Sequence, residues 1–160
     1  MYKAFYTLLV SLVLLISCTK ETIEVLPGGV TNEELKGKIA YKFNGNTHLE
    51  TGVFNNWDNK DTVMIAICES ETDILRIYVY DTLPGTYNIS TNQTEWGTAF
   101  ITYFENKKNQ IEPYRSTSGT VELTIQNGKA SGVFNAQMFK SAGSKNATVT
   151  DGAFREVKVK

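Results

Sequence analysis

From Lys38 the chain alternates large apolar positions with small or charged ones, Ile39, Tyr41 and Phe43 against Lys38, Ala40 and Lys42. That period of two is the signature of a half-buried strand. Asn44-Gly45 follows, a dipeptide that readily supplies the positive φ angles of a tight hairpin. Similar segments recur at Thr47 to Phe54, Thr62 to Glu69, Ile74 to Tyr80, Gly85 to Ser90, Thr98 to Glu105, Gly119 to Gln126, Ala130 to Phe139 and Ala147 to Val157. Together they predict an all-β domain, an antiparallel, mostly meander β-sandwich or flattened β-barrel of about 8–9 strands. The clearest hairpin sets Val121, Leu123 and Ile125 against Thr120, Glu122, Thr124 and Gln126, then turns at Asn127-Gly128. Val63 to Cys68 is apolar on both parities, which predicts a strand buried on both faces.

No run of ten or more residues shows a helical period after Leu35. One helical turn fits Thr31 to Leu35, where Thr31 is followed three positions later by Glu34, the spacing of a capping box. Most connections are short. The exceptions are Thr91 to Gly97 and Asn106 to Ser118, and long loops on a rigid β scaffold are where binding usually resides.

Ahead of these strands the pattern is different. A basic start, Met1-Tyr2-Lys3, leads into an apolar run from Ala4 to Ile16 broken by Thr7 and Ser11, and ends in Leu15-Ile16-Ser17-Cys18. This is the layout of a signal peptide, and the run is short of the roughly 20 apolar residues that span a bilayer. Ending on a small residue and a cysteine, it reads as a lipoprotein signal over residues 1–17. Cys18 is then the lipidated first residue of the mature chain, residues 18–36 a flexible tether, and residues 37–160 a single β domain. Two or three acyl chains, each buried methylene contributing about 0.8 kcal/mol, hold a protein to a membrane stably where one does not.

Charge narrows the partners. The chain carries 16 basic and 17 acidic residues, and cleavage before Cys18 removes only Lys3, leaving a nearly neutral surface. Nucleic-acid binding calls for a clustered basic face, so no nucleic acid is expected. The one other cysteine, Cys68, has no intrachain partner once Cys18 is acylated. It is expected to be a buried free thiol, with the core rather than disulfides holding the domain.

Candidate chemistry is sparse. His48 is the sole histidine, and the Asp and Glu residues lack ligand spacing, so neither a metal site nor a cofactor is expected. His48 reads as a strand or turn residue rather than a base. Serine-nucleophile and phosphate-loop motifs are absent, and no catalytic residue is assigned. Trp57 and Trp96 lie in polar stretches, Asn55 to Asn59 and Gln93 to Gly97. An exposed indole can stack on a sugar or anchor a protein, although an indole so placed more often tucks back over the end of the core. With Tyr114, in the second long connection, they form the candidate binding surface.

Phe43-Asn44-Gly45, Gly85-Thr86-Tyr87, Ser118-Gly119-Thr120-Val121, Ser131-Gly132-Val133-Phe134 and Val149-Thr150-Asp151-Gly152-Ala153-Phe154 occur in that order across most of residues 38 to 157. In this the chain resembles a family of Bacteroidota lipoproteins, short exported β-proteins with one domain after the lipidation signal. Members usually carry a Trp shortly after the Asn-Gly, where this chain has Thr47-His48-Leu49. The family has no established activity, so the resemblance assigns no functional residue. It implies an outer-membrane lipoprotein, and Lys20-Glu21 after Cys18 is similar to part of the family's signal for display at the cell surface. Asp61-Thr62-Val63 and Asp81-Thr82-Leu83 are similar to the lineage's O-glycosylation pattern, making Thr62 and Thr82 the candidate acceptors. The expected function is a non-enzymatic binding module of the cell envelope, anchored through the lipid on Cys18 and facing a glycan or protein partner. A small-ligand carrier or hydrolase using a barrel interior or cleft is the alternative.

Overall fold

The computed structural model of the chain describes residues 30–56, 64–106, 108 and 112–160. One helical turn, α1 (Asn32–Leu35), precedes nine strands: β1 (Lys38–Phe43), β2 (Asn46–Asn56), β3 (Met64–Glu69), β4 (Ile74–Val79), β5 (Gly85–Ile89), β6 (Thr98–Phe104), β7 (Tyr114–Gln126), β8 (Lys129–Lys140) and β9 (Lys145–Lys158). The all-β expectation holds. The strands form one mostly antiparallel sheet in the order β1-β2-β3-β4-β6-β5-β7-β8-β9, closed into a ring because β1 pairs with both β2 and β9. A ring of this size encloses an interior that side chains can fill. Ile39, Tyr41 and Phe43 of β1 join Leu75, Ile77, Ile101, Val121, Leu123, Phe134 and Phe154 in one contiguous buried cluster. Each such apolar side chain contributes about 1.5–3 kcal/mol by leaving water.

The turns follow their local chemistry. Asn44 and Gly45, at φ 48° and 85°, join β1 to β2, and Asn127 and Gly128, at 52° and 69°, join β7 to β8. Two positive φ angles match the right-handed twist of the flanking strands. The capping box at α1 also forms: the Glu34 amide donates to Thr31 Oγ1 at 3.3 Å, and the Thr31 amide donates to the Glu34 carboxylate at 2.8 Å. The Thr31 amide, together with the Thr31 hydroxyl donating to the same carboxylate at 2.9 Å, holds the Glu34 carboxyl below its usual range.

Three expectations change. The tether placed over residues 18–36 ends sooner, because Leu35 is buried against Ala40 and Ala153 on the outside of β1 and β9 and the Gly37 amide bonds to the Arg155 carbonyl at 2.7 Å. The sheet is not wholly antiparallel. β5 runs parallel to β6 through Asn88↔Thr98 and Ile89↔Ala99, and antiparallel to β7 through Gly85↔Leu123 to Asn88↔Thr120. Residues 90–97 double back between β5 and β6, so β6 starts beside β5 and heads the same way. Finally, the connection expected over Asn106 to Ser118 is shorter, since β7 begins at Tyr114.

Two of the motifs that carry the family resemblance meet in the β8–β9 pair. Gly132 faces Phe154 and Gly152 faces Phe134 across the ladder. A Cβ on Gly132 would lie 1.8 Å from the Glu122 carbonyl oxygen and 2.7 Å from the Phe154 ring, and one on Gly152 would lie 2.6 Å from the Phe134 ring. Each glycine makes room for the other strand's phenylalanine. These motifs are folding devices.

Candidate functional site

The clearest candidate surface is built by residues 90–97 and, across from them, the start of β7 with Glu112 and Pro113 before it. Residues 90–97 begin with the Ser90 amide bonded to the Ala99 carbonyl at 3.0 Å and end with the Gly97 amide on the Tyr80 carbonyl at 2.9 Å. Between those anchors the Ser90 hydroxyl donates to the Glu95 carboxylate at 2.6 Å and accepts from the Asn92 amide at 3.1 Å. The Thr98 hydroxyl donates to the Glu95 carbonyl at 2.7 Å. Polar side chains that bond their own neighbouring backbone fix a loop's course without a core beneath it. The loop holds Trp96 out in solvent, 60% exposed. The commoner arrangement, an indole folded back over the core, is not adopted.

Residues 91–93 also border an open groove of about 420 Å³ whose other wall comes from residues 112–117 and the end of β8. Phe100, buried, and Phe139, 37% exposed, supply its aromatic surfaces. Gln93, Glu112, Arg115 and Thr117 supply its polar ones. Glu112 Oε1 accepts the Ala142 amide at 2.7 Å, tying this wall to the β8–β9 turn. The groove lies where the sheet splits. β7 pairs with β6 only at Thr102↔Arg115 and Tyr103↔Tyr114 before passing to β5 at residues 120–123. The Ile101 amide, facing that split, donates to the buried Ser116 hydroxyl at 2.8 Å.

Tyr114 is corrected. It is 3% exposed, opens β7 on its inward parity, and cannot form part of a contact surface. Its ring meets Phe43 edge-on at 5.2 Å, with Lys140 Nζ 5.3 Å from its centroid. Burial and the Glu105 carboxylate raise its phenol above the ordinary value. Nor does the fold bring Tyr114 near Trp96: one pairs with Tyr103 near the end of β6, the other precedes its start. Trp57, Thr62 and Cys18 lie outside the described residues. Thr82 is half-buried in the turn before β5, where Asp81 Oδ1 accepts the Thr82 amide at 2.6 Å and the Leu83 amide at 3.1 Å. That turn chemistry accounts for Asp81 by itself. Leu83 beside it is 64% exposed, and its carbonyl accepts the Tyr87 hydroxyl.

The titratable side chains gather elsewhere, at the end of the ring marked by the β1–β2 and β3–β4 turns. His48 stacks flat on Tyr41, centroids 4.7 Å apart and planes 4° from parallel, and Tyr103 approaches both edge-on. Burial raises the Tyr41 and Tyr103 phenols, and the Asp73 carboxylate adds to both. His48 is the strand residue expected of it. Cys68 is buried as expected, 1% exposed, its thiol pushed up to about 12 by burial and then by Glu50. A thiol so held is not a nucleophile at neutral pH. Among the described residues no group of three His, Cys, Asp or Glu side chains could hold a metal ion, and no helix is long and apolar enough to cross a membrane.

The sequence reading missed Phe139 as an exposed residue and Phe100 as a buried residue lining the groove. Parity could have found the first: Phe134, Ala136 and Met138 point inward along β8, so Phe139 points out. Comparison with protein-family models, with curated proteins and with solved structures returns no match.

Proposed function

We propose that this chain is a membrane-anchored lipoprotein of the bacterial cell envelope whose closed β domain is a non-enzymatic binding module. The observation that carries the binding part is the groove bordered by residues 91–93, by Glu112, Pro113 and the start of β7, and by the end of β8, with Trp96 held exposed on the hydrogen-bonded loop beside it. A rigid loop that leaves an indole in water has already met the ordering cost that association would otherwise impose. We place the ligand on the outside because apolar side chains occupy the ring's interior. The anchoring part rests on Leu15-Ile16-Ser17-Cys18 and on the resemblance to Bacteroidota lipoproteins. It implies attachment to the outer membrane with the domain held off the surface by the residues before α1.

Two measurements test the two parts. Metabolic labelling with an alkyne fatty acid should mark the wild-type chain and not Cys18→Ala; equal labelling removes the lipid assignment. The full chain, immobilised and exposed to envelope extract, should retain a glycan or protein that Trp96→Ala releases. Retention unchanged by that substitution, or no retention at all, removes the binding surface.

A further inference from the structure

We propose that the groove between residues 91–93 and residues 112–117 is a saccharide site, and that its ligand is a neutral oligosaccharide. The inference rests on the binding-module reading and names the ligand class for it. Its volume, about 420 Å³, lies in the range of about 300–1,000 Å³ found for small-molecule sites. The chemistry of its walls selects among ligands.

A pyranose ring has an apolar face of C–H bonds and a rim of hydroxyls, each both donor and acceptor. The groove offers a counterpart to each. Phe139 presents an exposed aromatic surface, and the buried Phe100 ring lies in the groove's lining. Around them stand a cation, an anion and an amide: Arg115 can only donate, Glu112 can only accept, and Gln93 can do both. Among the described residues neither Arg115 nor Gln93 has a side-chain partner, and Arg115 and Glu112 form no ion pair with one another. One oxygen of Glu112 is taken by the Ala142 amide at 2.7 Å; the other is left for a hydroxyl.

The same inventory argues against the two other ligand classes. An extended peptide would need free backbone groups at the sheet edge for strand addition. At this split the Ile101 amide is already satisfied by Ser116 Oγ at 2.8 Å. An acidic polymer would need an excess of positive charge, and here Glu112 offsets Arg115. A neutral ligand with many hydroxyls uses both charges, and an opposed pair held apart costs less when each is hydrogen-bonded to it.

The test is calorimetric titration of the full chain with cellotriose and maltotriose as neutral probes, tri-galacturonate as the acidic probe, and an unstructured decapeptide as the peptide probe. Expected is binding of at least one neutral trisaccharide, weakened about tenfold or more by Phe139→Ala, the loss of one stacking surface, and similarly by Arg115→Gln. Both positions are exposed, and matching circular dichroism spectra check that the variants fold. Tighter binding of the acidic probe or the peptide overturns the neutral-saccharide assignment. Saccharide binding unaffected by Phe139→Ala and Arg115→Gln but abolished by Trp96→Ala overturns the groove while leaving the binding module standing. Absence of saccharide binding, with an envelope protein still retained through Trp96, overturns this inference alone; absence of every ligand overturns both.

Discussion

In the β7–β8–β9 sector the chain is long, regular and interlocked, whereas between β4 and β7 it is short, split and bridged by loops. Strands of 13, 12 and 14 residues make up the first, and Phe134 and Phe154 are each seated over the other strand's glycine. In the second, β5 has 5 residues, pairs in parallel with β6 at two positions, and leaves a gap that a serine hydroxyl fills. Apolar side chains interdigitate in the first sector, whereas in the irregular one the polar side chains of Gln93, Glu112, Arg115 and Thr117 face water. Both belong to one closed sheet. The contrast shows how a ring without free edges can still present a groove: its strands part on one side while the other side holds the closure.

The largest test of this contrast is Phe154→Ala. Removing a ring that is 2% exposed from the interlocked sector should cost about 3–5 kcal/mol, read as a fall in the urea midpoint at unchanged slope. A loss below about 1 kcal/mol would mean that the sector does not carry the closure. Next comes the split. Ser116→Ala leaves the buried Ile101 amide without its acceptor, an expected cost of about 1–3 kcal/mol, accompanied by a larger rise in hydrogen exchange at Ile101 than at Val121, which follows the global loss alone.

A pH series probes the core the two sectors share. The Cys68 thiol is pushed up to about 12 in the fold and titrates near 8.5 in an unfolded chain. Between those values the unfolded state has released a proton that the folded state keeps. Stability therefore falls as pH rises, by up to about 1.4 kcal/mol per unit. Below about pH 8.5 the thiol contributes no slope. Cys68→Ala should flatten this part of the decline, leaving the part that the buried Tyr41 and Tyr103 phenols add above about pH 10. The smallest effect is expected at the loop: Trp96→Ala should alter stability by no more than about 0.5 kcal/mol. In a Trp57→Phe background, acrylamide should quench Trp96 almost as it quenches free tryptophan. Strong protection would contradict the 60% exposure and merge the two sectors into one packed body.

Much of this was legible beforehand. All nine strands overlap the segments marked by the apolar alternation, with β7 starting earlier, at Tyr114 rather than Gly119, and both Asn-Gly turns and the α1 capping box formed. Burial of β3 on both faces is seen at Ile65, Ala66 and Cys68. Tyr114 misled because Arg115-Ser116-Thr117-Ser118 has no apolar alternation, so the strand containing it read as loop. Its one inward polar position, Ser116, is polar because the split requires an acceptor there. Trp96 is the opposite case: its polar neighbours marked a solvated loop, and the indole on it is exposed as the candidate surface required, although the same neighbours also fit an indole folded over the core.

What the amino-acid order alone determined is what nearest neighbours and a period of two can encode: which segments extend, where they reverse, and which side chains leave water. Only the tertiary structure decided which strand lies beside which, that β5 slips between β6 and β7 in parallel with one of them, and that two connections separated in the chain border one groove. Those features depend on the path of loops across a closed ring. A pairing between distant strands is chosen by the closure of the whole sheet, and no single segment carries that information.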